Sequence, residues 1–304
     1  MAVIAVHRLT KDYGHGRGIF DVDLEVQKGQ CFGFLGPNGA GKTTLIRHLM
    51  GFSQPDAGTA TIDGLDCWYH AARLQSQVGY LPGEVALPQG MTGTGFLRMM
   101  ARMRRMESLA HCDELLERFE LDPSPDIKQM SLGTKRKLAV VAAFMHDPAV
   151  LLLDEPTSGL DPLMQKVFID FVREEKRRGK TIFLSSHIFH EVDATCDHIA
   201  IIKDGRIVAH FEPDALRRES GSIYRVSFGS DEAFRTFIDQ GYAVTSASDH
   251  ARTARVHVAP DQLGAFTEEL ARLAPVDFQE IPFTLEDYFM QFYKEDRAFE
   301  GAAS

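Results

Sequence analysis

The chain has 304 residues, 44% of them hydrophobic and 25% charged, and a net charge of −10. That balance fits a globular protein of two domains, or one domain with an appendage, and the acidic excess argues against general nucleic-acid binding, so no nucleic-acid partner is expected. Four scattered cysteines (Cys31, Cys67, Cys112, Cys196) exclude a CxxC zinc cluster and point to a reducing compartment, while apolar runs such as "LAVVAAFM" are too short to span a bilayer.

Taken in chain order, the N-terminal "MAVIAVHRLTKDYG" has no signal-peptide core. "QCFGFLG" (30–36) is a short apolar strand ending in glycine. "KTTLIRHLMGF" (42–52) places Leu45, Ile46, Leu49 and Met50 at helical spacing, with Gly51 as a stop. "TATIDG" (59–64) reads as strand then turn, and "GYLPGEVALP" (79–88) as a turn at Pro82-Gly83 followed by an acid, Glu84. Residues 90–146 read as mostly helical. "AVLLLDEP" (149–156) and "TIFLSSH" (181–187) are buried strands that flank an amphipathic helix over 163–179. A further helix follows from about Ile188, and "HIAIIKDGRIVAH" (198–210) is a hairpin turning at Asp204-Gly205. Buried strands alternating with helices predict an α/β fold on a mostly parallel, covered sheet.

Composition shifts near "EPDALRRESGS" (212–222), which sets the expected domains at 1–218 and 222–304. The second reads as strand 223–228, helix 231–240, strands 242–247 and 253–258, helix 260–273, strand 276–281 and helix 284–293. That is the βαββαβ order of a ferredoxin-like module, with no catalytic cluster in it.

"GPNGAGKTT" (36–44) matches G-x-x-x-x-G-K-[ST], and it lies between a strand and a helix as that phosphate cradle requires. Its residues Gly36, Pro37, Asn38, Gly39, Ala40, Gly41, Lys42, Thr43 and Thr44 form the candidate nucleotide site. Backbone N–H groups curl toward phosphate oxygens, the helix N-terminus adds partial positive charge, Lys42 reaches the β- and γ-phosphates and the Thr43 hydroxyl faces Mg²⁺. In "LLLDEPTSGLDP" (151–162) two acids end a buried strand. Asp154 is expected on Mg²⁺ and Glu155 on the attacking water, because phosphoryl transfer to water needs a positioned base.

At this point the chain resembles the nucleotide-binding subunit of an ATP-binding cassette (ABC) transporter over roughly residues 3–215. "KDYGHG" (11–16) puts Tyr13 where the family stacks a ring on adenine. "MSLGTKRKL" (130–138) stands where the family carries its LSGGQ signature, here Ser131, Leu132, Gly133 and Thr134, so that Leu132 replaces a glycine and Thr134 the glutamine. "SGLD" (Ser158, Gly159, Leu160, Asp161) matches the loop after the catalytic acid, and "SSHIFHEVD" puts His187 at the family's switch histidine. Ser131 and Asp161 are also good helix N-caps, a role compatible with the functional one.

The resemblance implies a P-loop ATPase core with a mixed sheet and a helical subdomain near 90–146, plus the small α+β domain. It implies ATP and Mg²⁺ as cofactors. It also implies two subunits head to tail, each signature completing the other's ATP site, and a separate integral membrane permease as partner at the cytoplasmic face of the membrane. Export is the implied direction; a soluble ABC ATPase acting on ribosomes or DNA is the alternative, and it would normally bring two cassettes or long insertions. "TLEDYFMQFY" (284–293) resembles the tail of exporter-type ATPases, although Leu285, Tyr288, Phe289 and Phe292 equally form one apolar helix face.

The family also places a glutamine after "Y-[LV]-P", with a Leu-Thr-Gly about eight residues on. Met91-Thr92-Gly93 stands that far past Gly83, which puts a glycine at the glutamine's place with Glu84 next to it. Either Glu84 swings in beside Mg²⁺ or the loop keeps only a mechanical role; the turn need not aim Glu84 inward, which favours the second.

Overall fold

The computed structural model describes residues 2–219, 222–281 and Leu285, and the chain divides into two compact units, Met1–Phe211 and Glu212–Ser304. In chain order the first unit carries β1 (Ala2–Asp12), β2 (Gly18–Gln27), β3 (Cys31–Leu35), α1 (Lys42–Leu49), β4 (Ala57–Ile62), β5 (Leu65–Asp66), α2 (Ala71–Gln77) and β6 (Gly79–Leu81). It continues with α3 (Gly93–Met103), α4 (Ala110–Arg118), α5 (Leu132–Phe144), β7 (Val150–Asp154), α6 (Pro162–Arg177), β8 (Thr181–Ser186), α7 (Phe189–Thr195), β9 (His198–Lys203) and β10 (Arg206–Phe211).

Two sheets share this unit. A mixed six-stranded sheet runs β10-β9-β3-β8-β7-β6, with β10 as an antiparallel edge on five parallel strands. Its central strands are apolar or small apart from Asp154 at the end of β7, because both faces are covered. The β9–β10 hairpin turns at Asp204 (φ +48°) and Gly205 (φ +75°), the left-handed pair that matches strand twist. A second, antiparallel sheet runs β2-β1-β4-β5. The residues expected at helical spacing on α1 (Leu45, Ile46, Leu49) and Met50 after it are buried, in one core with Phe32, Phe34 and Phe183.

Residues 90–146 are less continuously helical than their composition suggests. The chain between α4 and α5 holds no α-helix: it turns at Phe119 and Glu120 and again in a 3₁₀ turn at Ile127–Gln129, and Asp126 forms a bridge with Thr92. The last part of α5 is buried on every side, and Phe144 packs against Phe168 and Phe171 of α6.

The register sets the site. Leu35 of β3 pairs with Ser186 of β8, Asp154 of β7 with Ser185, and Leu81 of β6 with Leu153. Four parallel strands therefore end side by side, each running into a loop that carries a candidate residue. The crevice beyond the carboxyl ends of such strands is where α/β sheets bind ligands.

The second unit holds α8 (Pro213–Glu219), β11 (Ser222–Ser227), α9 (Asp231–Ile238), β12 (Ala243–Ser248), β13 (Thr253–Val258), α10 (Leu263–Leu273) and β14 (Asp277–Ile281). Its antiparallel sheet runs β12-β13-β11-β14, the strand order of a ferredoxin-like module, over a core that includes Tyr224, Phe228, Phe237 and Phe266. Of the expected tail helix only Leu285, which is buried, falls among the described residues; Tyr288, Phe289 and Phe292 lie outside them.

Candidate nucleotide site

The turn from β3 to α1 runs Gly36 to Gly41. Gly41, at φ +112°, stands at the N-cap of α1, a backbone geometry that a β-carbon disfavours. Lys42 is buried, and its Nζ donates to Gly36 O at 2.7 Å and Pro37 O at 3.1 Å. Those bonds fold the lysine back over its own loop. The Ala40 N–H closes the turn onto Pro37 O at 3.2 Å, and the Ala40 carbonyl accepts from Gly205 N at 3.0 Å, which ties the loop to the β9–β10 turn. Pro37, Asn38 and Gly39 are exposed at its rim, and Thr44 is half-buried.

Asp154 closes β7 with no solvent exposure. Its Oδ2 accepts from Thr43 Oγ1 at 2.8 Å, and its Oδ1 accepts a short hydrogen bond from Ser185 Oγ. A buried carboxylate needs such partners. Glu155 follows at φ +47°, outside the ordinary range for a residue with a side chain. Its Oε1 lies 3.0 Å from Lys42 Nζ, and its Oε2 2.5 Å from His187 Nδ1. Lys42, Thr43, Asp154, Glu155 and His187 thus form one connected cluster drawn from three loops.

No group of three or more His, Cys, Asp or Glu side chains capable of holding a metal occurs among the described residues. One hydroxyl and one carboxylate are the oxygen donors that Mg²⁺ takes when phosphates and water complete its shell, so Thr43 and Asp154 fit that ion.

Gly83 lies directly against this carboxylate: a β-carbon on it would stand 3.1 Å from Asp154 Oδ2 and 3.3 Å from Cγ. Glu84 is exposed and lines the same cleft, together with Asn38, Arg47, Phe52, Tyr80 and Ser158.

The remaining sequence candidates stand outside that hydrogen-bonded cluster. Tyr13 is 48% exposed between β1 and β2, with Lys11 Nζ 5.8 Å from its ring centre. Ser131 caps α5, its Oγ accepting from Thr134 N at 3.1 Å. The Thr134 hydroxyl is 2.8 Å from that same oxygen, so it turns inward onto Ser131. Leu132 is 69% exposed, and Gly133 abuts the Gly159 carbonyl, 3.1 Å from where its β-carbon would be. Signature and SGLD loop therefore pack together. Leu160 is buried, and Asp161 caps α6 through bonds from Leu163 N and Met164 N, each 3.0 Å.

Two residues beside the cluster lie within the motif stretches but have no role read from the sequence. Ser185 is one; Arg136, in the second turn of α5, is the other, donating to main-chain carbonyls on both sides of the cleft floor. Its sequence cue is positional: Arg136 shares a helix face with Ala139, Val140 and Ala143, all buried, so a charge stands where the spacing calls for an apolar residue.

Residues 19–158 match the family model described as ABC transporter. The Nod factor export ATP-binding protein I of Ralstonia nicotianae is 35% identical, over 78% of this chain and 76% of that protein. The daunorubicin resistance ATP-binding protein DrrA3 of Streptomyces coeruleorubidus is 36% identical, over 72% of this chain and 71% of its own length. Among solved structures, an ATP-binding subunit of an ABC transporter superposes with a TM-score of 0.65 at 31% identity, covering 71% of this chain and 92% of that one. A dimeric ATP-binding cassette bound to ADP and Pi shares the fold at a TM-score of 0.63 and 19% identity, covering 69% of this chain and 98% of the cassette. A family match that spans the loop at 36–44, Asp154 and Glu155, with relatives this similar along most of both chains, means that the chain belongs to the ABC transporter family, among its ATP-binding subunits.

Proposed function

We propose that this chain is the ATP-hydrolysing subunit of an exporter whose permease is a separate membrane protein, and that two copies, or this chain and a paralogue, close head to tail around two ATP. The observation that supports it most is the single cluster of Lys42, Thr43, Asp154, Glu155 and His187 at adjoining strand ends. In this reading residues 1–218 are the nucleotide-binding domain and 222–304 an accessory domain.

Backbone N–H groups of Gly36–Thr44 and the N-terminus of α1 hold the phosphates, Lys42 neutralises the β- and γ-oxygens, and Tyr13 stacks on adenine. Thr43 and Asp154 would hold Mg²⁺, which when bound would offset charge developing on the phosphate oxygens. Glu155 takes the proton of a water that attacks the γ-phosphorus in line, and ADP departs with the bond electrons. His187 orients Glu155 and the γ-phosphate. Ser131 and Gly133 of the other subunit present a hydroxyl, N–H groups and a helix N-terminus to that phosphate, and Ser158–Asp161 line the seam between subunits. Without a glutamine at Gly83, the Pro82–Glu84 loop acts as the mechanical link to the permease at the cytoplasmic membrane face. The relatives named for Nod factor export and daunorubicin resistance support transport over a ribosome or DNA role, and no described helix is long and apolar enough to cross a membrane.

Glu155→Gln is the decisive variant. It is expected to bind Mg-ATP, to lose turnover on the order of 100-fold or more, and to sediment as a dimer only with Mg-ATP present. Steady-state hydrolysis at the wild-type rate would remove Glu155 as the base.

A further inference from the structure

Arg136 is 2% exposed, yet its guanidinium is spent on backbone. Nε donates to Pro156 O at 3.0 Å. Nη1 donates to Pro82 O at 2.5 Å and Gly83 O at 3.1 Å. Nη2 donates to Asp154 O at 3.0 Å and to Glu155 O by a shorter bond. One planar fork thus joins two separate turns, the one after β6 and the one after β7.

Burial pulls the guanidinium down to about 10, opposed by Asp154, Glu191 and Glu155, so it stays cationic at neutral pH. Burying a charge is costly, and an apolar side chain would fill this space as well. What an apolar side chain lacks is the ability to satisfy carbonyls on both turns at once. One of those carbonyls belongs to Glu155, whose left-handed backbone (φ +47°) persists only when its surroundings hold it.

We propose that Arg136 is a positioning residue for hydrolysis: by tying the Glu155 main chain to the Pro82–Gly83 turn, it holds the Glu155 carboxylate in place and makes that placement follow the turn. The proposal rests on reading Glu155 as the base. It gives the loop that lacks a metal-reaching glutamine a route into the chemistry through backbone rather than side chain. It also gives α5 two tasks, because the helix that presents Ser131 and Gly133 outward grips its own chain's base one turn later.

The test compares Arg136→Met, Arg136→Lys and Arg136→Ala in the full chain, reading Mg-ATP hydrolysis and equilibrium ATP binding. Arg136→Met is expected to lose about 100-fold in kcat, the cost of a reacting group displaced by about 1 Å, with KM and the ATP Kd nearly unchanged. Arg136→Lys keeps the charge but not the fork, and falls between. Guanidinium ion, below denaturing concentration, is expected to restore part of the kcat of Arg136→Ala and none of that of Glu155→Gln. A folded Arg136→Met with wild-type kcat overturns the proposal. So does an Arg136→Ala protein in which kcat, ATP affinity and thermal midpoint fall together without guanidinium rescue, the pattern of a merely structural residue. Retained turnover in Glu155→Gln removes the base reading instead; lost turnover there, with normal kcat in Arg136→Met, removes only the role of Arg136.

Discussion

Both oxygens of the Asp154 carboxylate are committed, one to Thr43 and one to Ser185, and Gly83 lies against its open side. The absence of a side chain at residue 83 is therefore a packing requirement as well as a departure from the family's glutamine. A β-carbon at 3.1 Å from Oδ2 is too close unless the carboxylate gives way, and Oδ2 is the oxygen that bonds Thr43, its partner in the proposed Mg²⁺ site. Overpacking of this kind costs about 1 kcal/mol or more, which is about fivefold in affinity. Gly83→Ala is accordingly expected to weaken Mg-ATP binding about fivefold while leaving Mg-free ATP binding unchanged, as titration calorimetry with and without the cation would read. Equal affinities for wild type and variant in Mg²⁺ would show that Asp154 can move at no cost.

At the scale of elements, α7 carries an unusual load. Glu191 is 1% exposed on it, and its Oε2 accepts from Ser186 Oγ at 2.6 Å. Burial pushes this carboxyl up from 4.5 to about 7, with the Ser186 bond opposing. The folded chain then keeps a proton that the unfolded chain releases, so stability from this group is intact below about pH 4.5 and drains away as pH rises through about 7. Glu191→Gln removes the ionisation and keeps the shape. Its thermal midpoint relative to wild type is expected to rise between pH 5 and pH 8, by an amount worth at most about 3 kcal/mol; a difference flat with pH would mean that Glu191 ionises freely in the fold. The elements that were legible in the sequence are the local ones. Strand, loop and helix from Cys31 to Leu49 follow from a contiguous motif, and the β9–β10 hairpin follows from its Asp-Gly turn. Of the β2-β1-β4-β5 sheet only β4 is legible, through "TATIDG"; the sheet's pairing leaves no trace, because β1 pairs with β4 through residues such as Val6 and Ala60 that are far apart along the chain. For Arg136 the sequence marks only its place, a charge on the buried face of α5; its partners are carbonyls, which every residue carries, so no residue type marks them. The mostly helical reading of 90–146 holds through α3, α4 and α5, and the break between α4 and α5 falls where Pro123 and Pro125 interrupt a stretch whose Met, Leu and Arg content favours helix.

At the scale of the molecule, the signature and the P-loop make different demands. Ser131 and Thr134 bond to each other, Gly133 abuts Gly159, and Leu132 projects into solvent at 69% exposure. If each ATP is held by the P-loop of one subunit and the signature of its partner, two disabled chains can repair one another. Lys42→Ala keeps its signature, and Ser131→Arg keeps its P-loop. In a mixed dimer one composite site has both parts intact and the other has neither. Random pairing makes half of all dimers mixed, each with one working site of two, so the equimolar mixture is expected to reach roughly a quarter of wild-type ATPase activity from two inactive proteins. The rate should rise with total protein concentration, since the working unit has to assemble. A mixture no more active than its components would mean that Ser131 does not serve the opposite site, and would leave the Leu132 surface to some other partner.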